Sequence, residues 1–203
     1  MLRTVVFDMG NVLLHFSHER MCRQIASLCG QDAAEVRRWL FDEGWEHAFE
    51  RGDITADEFH QRIEQRAGRP LDRQRVQSAA AEIFTLNEPL VPVLAQLRAA
   101  GLRLVLLSNT QAWHLEYVRR QFDVLNGFHE LVVSFQVGAM KPEAAIYEAA
   151  SAALHCAPHE AFYTDDIPTY VDMGRRFGWH AEVFQGVPEL LRQLAHHGVA
   201  LDV

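Results

Sequence analysis

Short unbroken apolar runs alternate along the chain with stretches in which apolar residues recur at helical spacing. Thr4-Val5-Val6-Phe7 is a β-branched run without polar interruption, the pattern of a strand covered on both faces inside a parallel sheet. It leads into Asp8-Met9-Gly10-Asn11-Val12-Leu13-Leu14, so Asp8 stands at a strand's carboxyl end, the edge at which open α/β sheets bind ligands. Leu102-Arg103-Leu104-Val105-Leu106-Leu107 repeats the pattern and ends in Ser108-Asn109-Thr110, and Ala161-Phe162-Tyr163-Thr164 ends in Asp165-Asp166. Three strands thus deliver hydroxyl, amide and carboxylate groups to one edge. Between and beyond them the periodicity predicts helices over 89–100, 111–125, 142–154, 169–177 and 188–197. Further strands are predicted near 131–135 and over 179–184. Pro142 is expected at the first position of its helix, directly after Lys141. Such βα alternation implies an α/β fold: a doubly wound parallel sheet with right-handed crossovers and helices on both faces.

From about His15 to Asn87 the strand-like runs give way to helical spacing. Asp32-Ala33-Ala34-Glu35 and Thr55-Ala56-Asp57-Glu58 read as capping boxes, and Gly30, Gly52 and Gly68 punctuate the segments. Four or five short helices are expected here as a cap inserted after the first strand. This divides the chain into a core of 1–14 and 88–203 and a cap of 15–87. Two crossings, near 15–17 and 86–89, would join them and invite hinge motion over the site.

Composition narrows the possibilities. The formal charge of −8 argues against nucleic acid or an anionic membrane as partner, because such binding relies on clustered cations. No apolar stretch approaches the ~20 residues of a membrane span, and the first strand begins too early to leave room for a signal peptide. A cytoplasmic enzyme is expected. Cys22, Cys29 and Cys156 lack metal-ligand spacing and read as reduced thiols. Of 19 basic residues only Lys141 is a lysine. Arginine presents a wide planar fork, whereas an ammonium is a compact charge able to wedge between a carboxylate and a phosphate.

The ordered set Asp8, Ser108, Lys141 and Asp165-Asp166 resembles the four signature motifs of the haloacid dehalogenase-like hydrolase superfamily. The opening Phe7-Asp8-Met9-Gly10-Asn11-Val12-Leu13-Leu14, with the segment Trp45–Thr55, is similar to a bacterial subgroup with a helical cap that includes an α-glucose-1-phosphate phosphatase and relatives of the phosphatase domain of soluble epoxide hydrolase. The resemblance implies a Rossmann-like sheet of order 3-2-1-4-5 and a Mg²⁺-dependent phosphatase acting on a small phosphorylated metabolite. Asp8 would be the nucleophile, forming an aspartyl-phosphate. Ser108, Lys141, Asn109 and the backbone at Met9 and Gly10 would hold the phosphoryl group. Asp8, the Gly10 carbonyl, Asp166 and Asp165, the last directly or through water, would hold Mg²⁺.

The pattern's second aspartate, two positions after the nucleophile, is replaced by Gly10, which offers a carbonyl but no proton. His15 and His18 are candidate stand-ins. Trp45, His47 and Phe49 could touch substrate or pack cap on core, and Tyr170, where relatives carry asparagine, is given no catalytic role. His155, His159, His196 and His197 read as surface residues near helix ends. Two other readings remain at this point: a metal-independent 2-haloacid dehalogenase, and a catalytically degenerate phosphosugar-binding protein. Oligomeric state is not legible.

Overall fold

The computed structural model describes residues 1–202. The chain runs through β1 (Thr4–Phe7), β2 (Leu14–Phe16), α1 (His18–Cys29), α2 (Ala33–Arg37), α3 (Trp45–Arg51), α4 (Ala56–Ala67), α5 (Arg73–Ala81) and β3 (Phe84–Leu86). It continues through α6 (Val91–Ala99), β4 (Arg103–Ser108), α7 (Ala112–Gln121), β5 (Glu130–Val133), α8 (Ser134–Val137) and α9 (Ala144–Ala153). The last elements are β6 (Ala161–Asp165), α10 (Pro168–Arg176), β7 (His180–Val183) and α11 (Val187–His196).

Strands β5-β4-β1-β6-β7 form a five-stranded parallel sheet. Numbered within the sheet alone, this is the expected order 3-2-1-4-5. Alternate residues of β1 and β4 serve opposite faces: Val5, Phe7, Leu104 and Leu106 belong to one buried cluster, Val6, Val105 and Leu107 to the other. Leu94 and Leu97 of α6 join the first, Ile146 and Tyr147 of α9 and Val171 of α10 the second. Both sides of the sheet are therefore covered, as continuous apolar strands require. No helix among the described residues is long and apolar enough to cross a membrane.

Helices α1–α5 lie between β2 and β3, within the stretch the sequence marks as helical. Thr55 and Glu58 form a reciprocal capping box. Asp32 caps α2 through Ala34 N–H alone, because Glu35 turns outward to Arg38 and to the Trp39 indole instead of closing the box. The crossings are not two independent threads. β2 and β3 pair antiparallel, Leu14 opposite Leu86 and Phe16 opposite Phe84, too short a ribbon for the sequence pattern to reveal.

Two boundaries differ usefully from expectation. The strand predicted near 131–135 is shorter, and Ser134–Val137 turns into α8. Helix α9 begins at Ala144 with Glu143 at its cap, not at Pro142. The Asn109 side chain holds the Lys141 backbone from both sides, accepting from its N–H at 2.8 Å and donating to its carbonyl at 3.1 Å, and so keeps residue 141 outside the helix. Cys22 and Cys29 are buried and free, and Cys156 is free and half-buried.

Candidate active site

The carboxyl edge of the sheet is organised around Lys141. Its Nζ lies 2.6 Å from Asp8 Oδ1 and 2.6 Å from Asp165 Oδ2, with its side chain 1 % exposed. Burial disfavours the ammonium, but the two carboxylates outweigh it and hold Lys141 above the ordinary lysine range. Burial pushes Asp8 up to about 7, against the pull of Lys141 and with the repulsion of Asp165. The Tyr163 hydroxyl also donates to Asp165 Oδ2 at 2.5 Å, and the Ile167 N–H to Asp165 Oδ1 at 2.9 Å. Lys141 Nζ further sits 5.1 Å from the centre of the Tyr170 ring, a cation–π contact.

After Asp8 the chain curls back: Leu13 and Leu14 donate backbone N–H groups to the Met9 carbonyl, and Asn11 adopts φ +53°. The curl lets Asn11 Nδ2 reach Asp166 Oδ2 at 3.2 Å, while burial raises the Asp166 carboxyl. Above these groups lies a cavity of ≈ 360 Å³. Asp8, Met9, Gly10, Asn109, Lys141 and Asp166 line it, with Phe16, His18, His47, Glu50, His114 and Tyr170 around them.

The expected residues thus fall into two ranks. Ser108 and Asp165 are not among the cavity-lining residues; they are 1 % and 0 % exposed, one layer behind the wall. The Ser108 hydroxyl points toward the Asn109 carbonyl at 3.4 Å. Both Asp165 oxygens already accept hydrogen bonds, so its visible work is to hold Lys141. Asp8, Asp165 and Asp166 each offer an oxygen, all within 4.8 Å of one another. An all-oxygen donor set of this kind suits Mg²⁺. The residues therefore fit the ion; of the expected ligands, Asp8, Gly10 and Asp166 line the cavity and Asp165 does not.

Of the histidines, His18, His47 and His114 line the cavity and His15 does not. His15 is exposed on β2, opposite Thr85. Trp45 stacks on Trp39 within the helical segment, and Phe49 packs on Phe59 and on Trp113, joining that segment to α7. The residue that sequence reasoning missed is Glu50. It faces the cavity from the last turn of α3, and burial pushes its carboxyl up to about 7 despite Lys141. One turn back, Glu46 is buried with neither carboxylate oxygen hydrogen-bonded, and burial together with the Glu50 charge raises it well above the usual range. The available signal was the spacing of Glu46 and Glu50, which puts both beside Trp45 and Phe49 on the buried side of α3.

Gly10 is tightly enclosed. A Cβ built there would lie 2.9 Å from Phe16 Cε1, so the Phe16 ring occupies the space that a side chain at this position would need.

The family model described as haloacid dehalogenase-like hydrolase matches residues 2–178. A D-ribitol-5-phosphate phosphatase of Bacteroides thetaiotaomicron is 26 % identical over 195 residues, covering 91 % of this chain and 92 % of the relative. A predicted HAD-like family hydrolase of Porphyromonas gingivalis superposes with a TM-score of 0.81 at 26 % identity, covering 96 % of this chain and 98 % of that one. A HAD family enzyme of B. thetaiotaomicron, solved with magnesium and inorganic phosphate, superposes with a TM-score of 0.80 at 21 % identity, covering 92 % and 95 %.

Proposed function

The chain belongs to the haloacid dehalogenase-like hydrolases, and from that premise we propose that it is a Mg²⁺-dependent phosphatase of a small polyol or sugar phosphate, working through Asp8. The observation that carries the reading is Lys141, buried and bonded to Asp8 at the floor of the cavity that Asp166 enters. The similarity to a D-ribitol-5-phosphate phosphatase and the size of the cavity favour a short phosphorylated polyol or sugar over a larger ester.

In this reading the Asp8 carboxylate attacks phosphorus, and the resulting aspartyl-phosphate is hydrolysed in a second step. Lys141 neutralises both Asp8 and the incoming oxygens. The Met9 N–H supports the Asp8 carboxylate, and Asn109 fixes the Lys141 backbone so that the ammonium does not drift. Asp8, Asp166 and the Gly10 carbonyl would hold Mg²⁺, which when bound supplies positive charge against the phosphoryl oxygens. A metal-independent dehalogenase has no comparable use for Asp166 at the cavity wall. Residues 15–87 act as the cap of a core formed by 1–14 and 88–203, shielding the cavity from water.

A panel of phosphate esters, assayed with Mg²⁺ and with chelator, tests the proposal. Metal-dependent phosphate release from polyol or sugar phosphates is the expected result. Activity unaffected by chelator, halide release from 2-haloacids, or ligand binding without turnover would each replace it.

A further inference from the structure

The leaving oxygen of a polyol phosphate is strongly basic and departs poorly without a proton. The position from which the family pattern would supply that proton is Gly10, and the Phe16 ring fills the space beside it. A donor must therefore reach the cavity from elsewhere. We propose that Glu50 is the catalytic acid and base of this enzyme, protonating the leaving oxygen in the first step and taking a proton from water in the second. The inference rests on the phosphatase reading above.

Glu50 shares the cavity with Asp8, Gly10 and Lys141 but approaches from the helical segment, the side on which the leaving group of a phosphate bound over Asp8 would lie. Its backbone is held firmly. Ser134 Oγ donates to the Glu50 carbonyl at 2.5 Å, and Gly52, at φ +85°, packs directly on the Phe135 carbonyl with no room for a Cβ. Arg51 is turned away to pair with Glu143. The carboxyl therefore enters the cavity from a fixed point.

The surroundings of Glu50 suit proton exchange near neutrality. Glu46 lies one turn away on the same helix, buried and without a hydrogen-bond partner, and oxygens of the two carboxyls lie within 4.8 Å of a ring nitrogen of His114 and of each other. Two such carboxyls do not both ionise, so the pair retains a proton. From α7, His114 is held neutral by burial, at about 3, with Nε2 on the Ala80 carbonyl at 3.2 Å. Gln111, just before α7, pulls the Glu46 carboxyl down against the larger effect of burial. From the loop before α9, Lys141 is the remaining charge that acts on Glu50, while His47 and, from α1, His18 lie at the cavity wall.

The steps balance. Asp8 Oδ forms a bond to phosphorus as the bond to the leaving oxygen breaks; that oxygen keeps the electron pair and receives the Glu50 proton, giving the free alcohol and a Glu50 carboxylate. Water then attacks phosphorus, its proton passes to Glu50, and the bond to Asp8 breaks. Inorganic phosphate, the Asp8 carboxylate and protonated Glu50 result.

The test compares wild type with Glu50→Gln and Glu50→Asp on p-nitrophenyl phosphate, phenyl phosphate and ribitol 5-phosphate, with Mg²⁺ throughout. Glu50→Gln should lose about 10²–10⁴-fold in kcat/KM on the alkyl ester and far less on p-nitrophenyl phosphate, whose leaving oxygen needs no proton. The alkaline fall of the wild-type profile should vanish in this variant, and Glu50→Asp should recover part of the alkyl activity. Equal losses on all three esters with an unchanged pH profile would overturn the proposal and make Glu50 a substrate-holding group. Binding of a second divalent ion per chain, lost in Glu50→Gln, would overturn it in favour of a metal role for Glu46, Glu50 and His114. Absence of phosphate release by wild type from every ester would remove the phosphatase reading and this inference with it.

Discussion

Replacing Lys141 by Met tests whether the ammonium is the keystone of the site. The substitution keeps most of the aliphatic stem but leaves Asp8 and Asp165, 9 % and 0 % exposed, facing each other without the cation that lies 2.6 Å from each. Removing one partner of a buried ionic cluster costs about 3–5 kcal/mol. For a chain of this size each kcal/mol lowers Tm by about 2–4 °C, which gives a drop of about 6–20 °C. The penalty should depend on pH with a defined sign. Asp8 titrates at about 7 with Lys141 present, and removing the cation moves it higher. At pH 8 the variant therefore carries either a repelling pair of carboxylates or a proton taken up at cost. At pH 5.5 Asp8 is protonated in both proteins, and the difference narrows. Calorimetry of wild type and Lys141→Met in chelator at the two pH values reads this directly. A drop below about 2 °C, or one equal at both pH values, would refute the account of Lys141 as counter-ion to both carboxylates.

Asp8→Asn should abolish phosphate release while leaving Tm unchanged or raised, since it removes a carboxyl that burial opposes; steady-state assay and calorimetry on one preparation check both halves. The rate should rise with pH as Asp8 loses its proton around the value of about 7, because in the proposed reading the carboxylate is the nucleophile. Saturating Mg²⁺, favouring the charged form, should move that limb to lower pH in a kcat/KM profile. Gly10→Asp should not simply restore the missing carboxylate. The collision with Phe16 should cost about 1–3 kcal/mol by overpacking, partly relieved in Gly10→Asp/Phe16→Ala and measured by urea denaturation.

The sheet and the floor of the site were legible because their signals are local. Asp8 and Asp165 end runs of β-branched and apolar residues, and such runs mark strands that position whatever follows them. Lys141 stood out by composition, and its partners followed from motif order. The ranks within the site were not legible. That Ser108 and Asp165 sit behind the cavity wall depends on side-chain direction over one residue, which sequence period does not resolve. Nor does the sequence reveal that Asn109 grips the Lys141 backbone, a contact between residues far apart in the chain that displaces the start of α9. The same limit hid Glu50. Its helix reads as amphipathic, and the aromatic residues and His47 carry the plainer signal, yet Glu46 and Glu50 share the buried side with Trp45 and Phe49. Their significance depends on α7 and Lys141 arriving opposite them, and only tertiary packing establishes that.

The β2–β3 ribbon brings the two ends of the helical segment together. Leu14 and Leu86 are paired neighbours, so the chain departs from the sheet and returns to it at one point. A tight hairpin turn joining these two strands would bridge the gap, at the cost of uncovering Trp113 of α7, on which Phe49 and Phe59 pack. Such a minimal chain would keep Asp8, Lys141 and Asp166 and would lose Glu50 together with the part of the cavity wall that the helical segment supplies. The two sides of the cavity are thus separable along the chain: the sheet edge carries Asp8, Lys141 and Asp166, and the segment between β2 and β3 carries His18, His47 and Glu50.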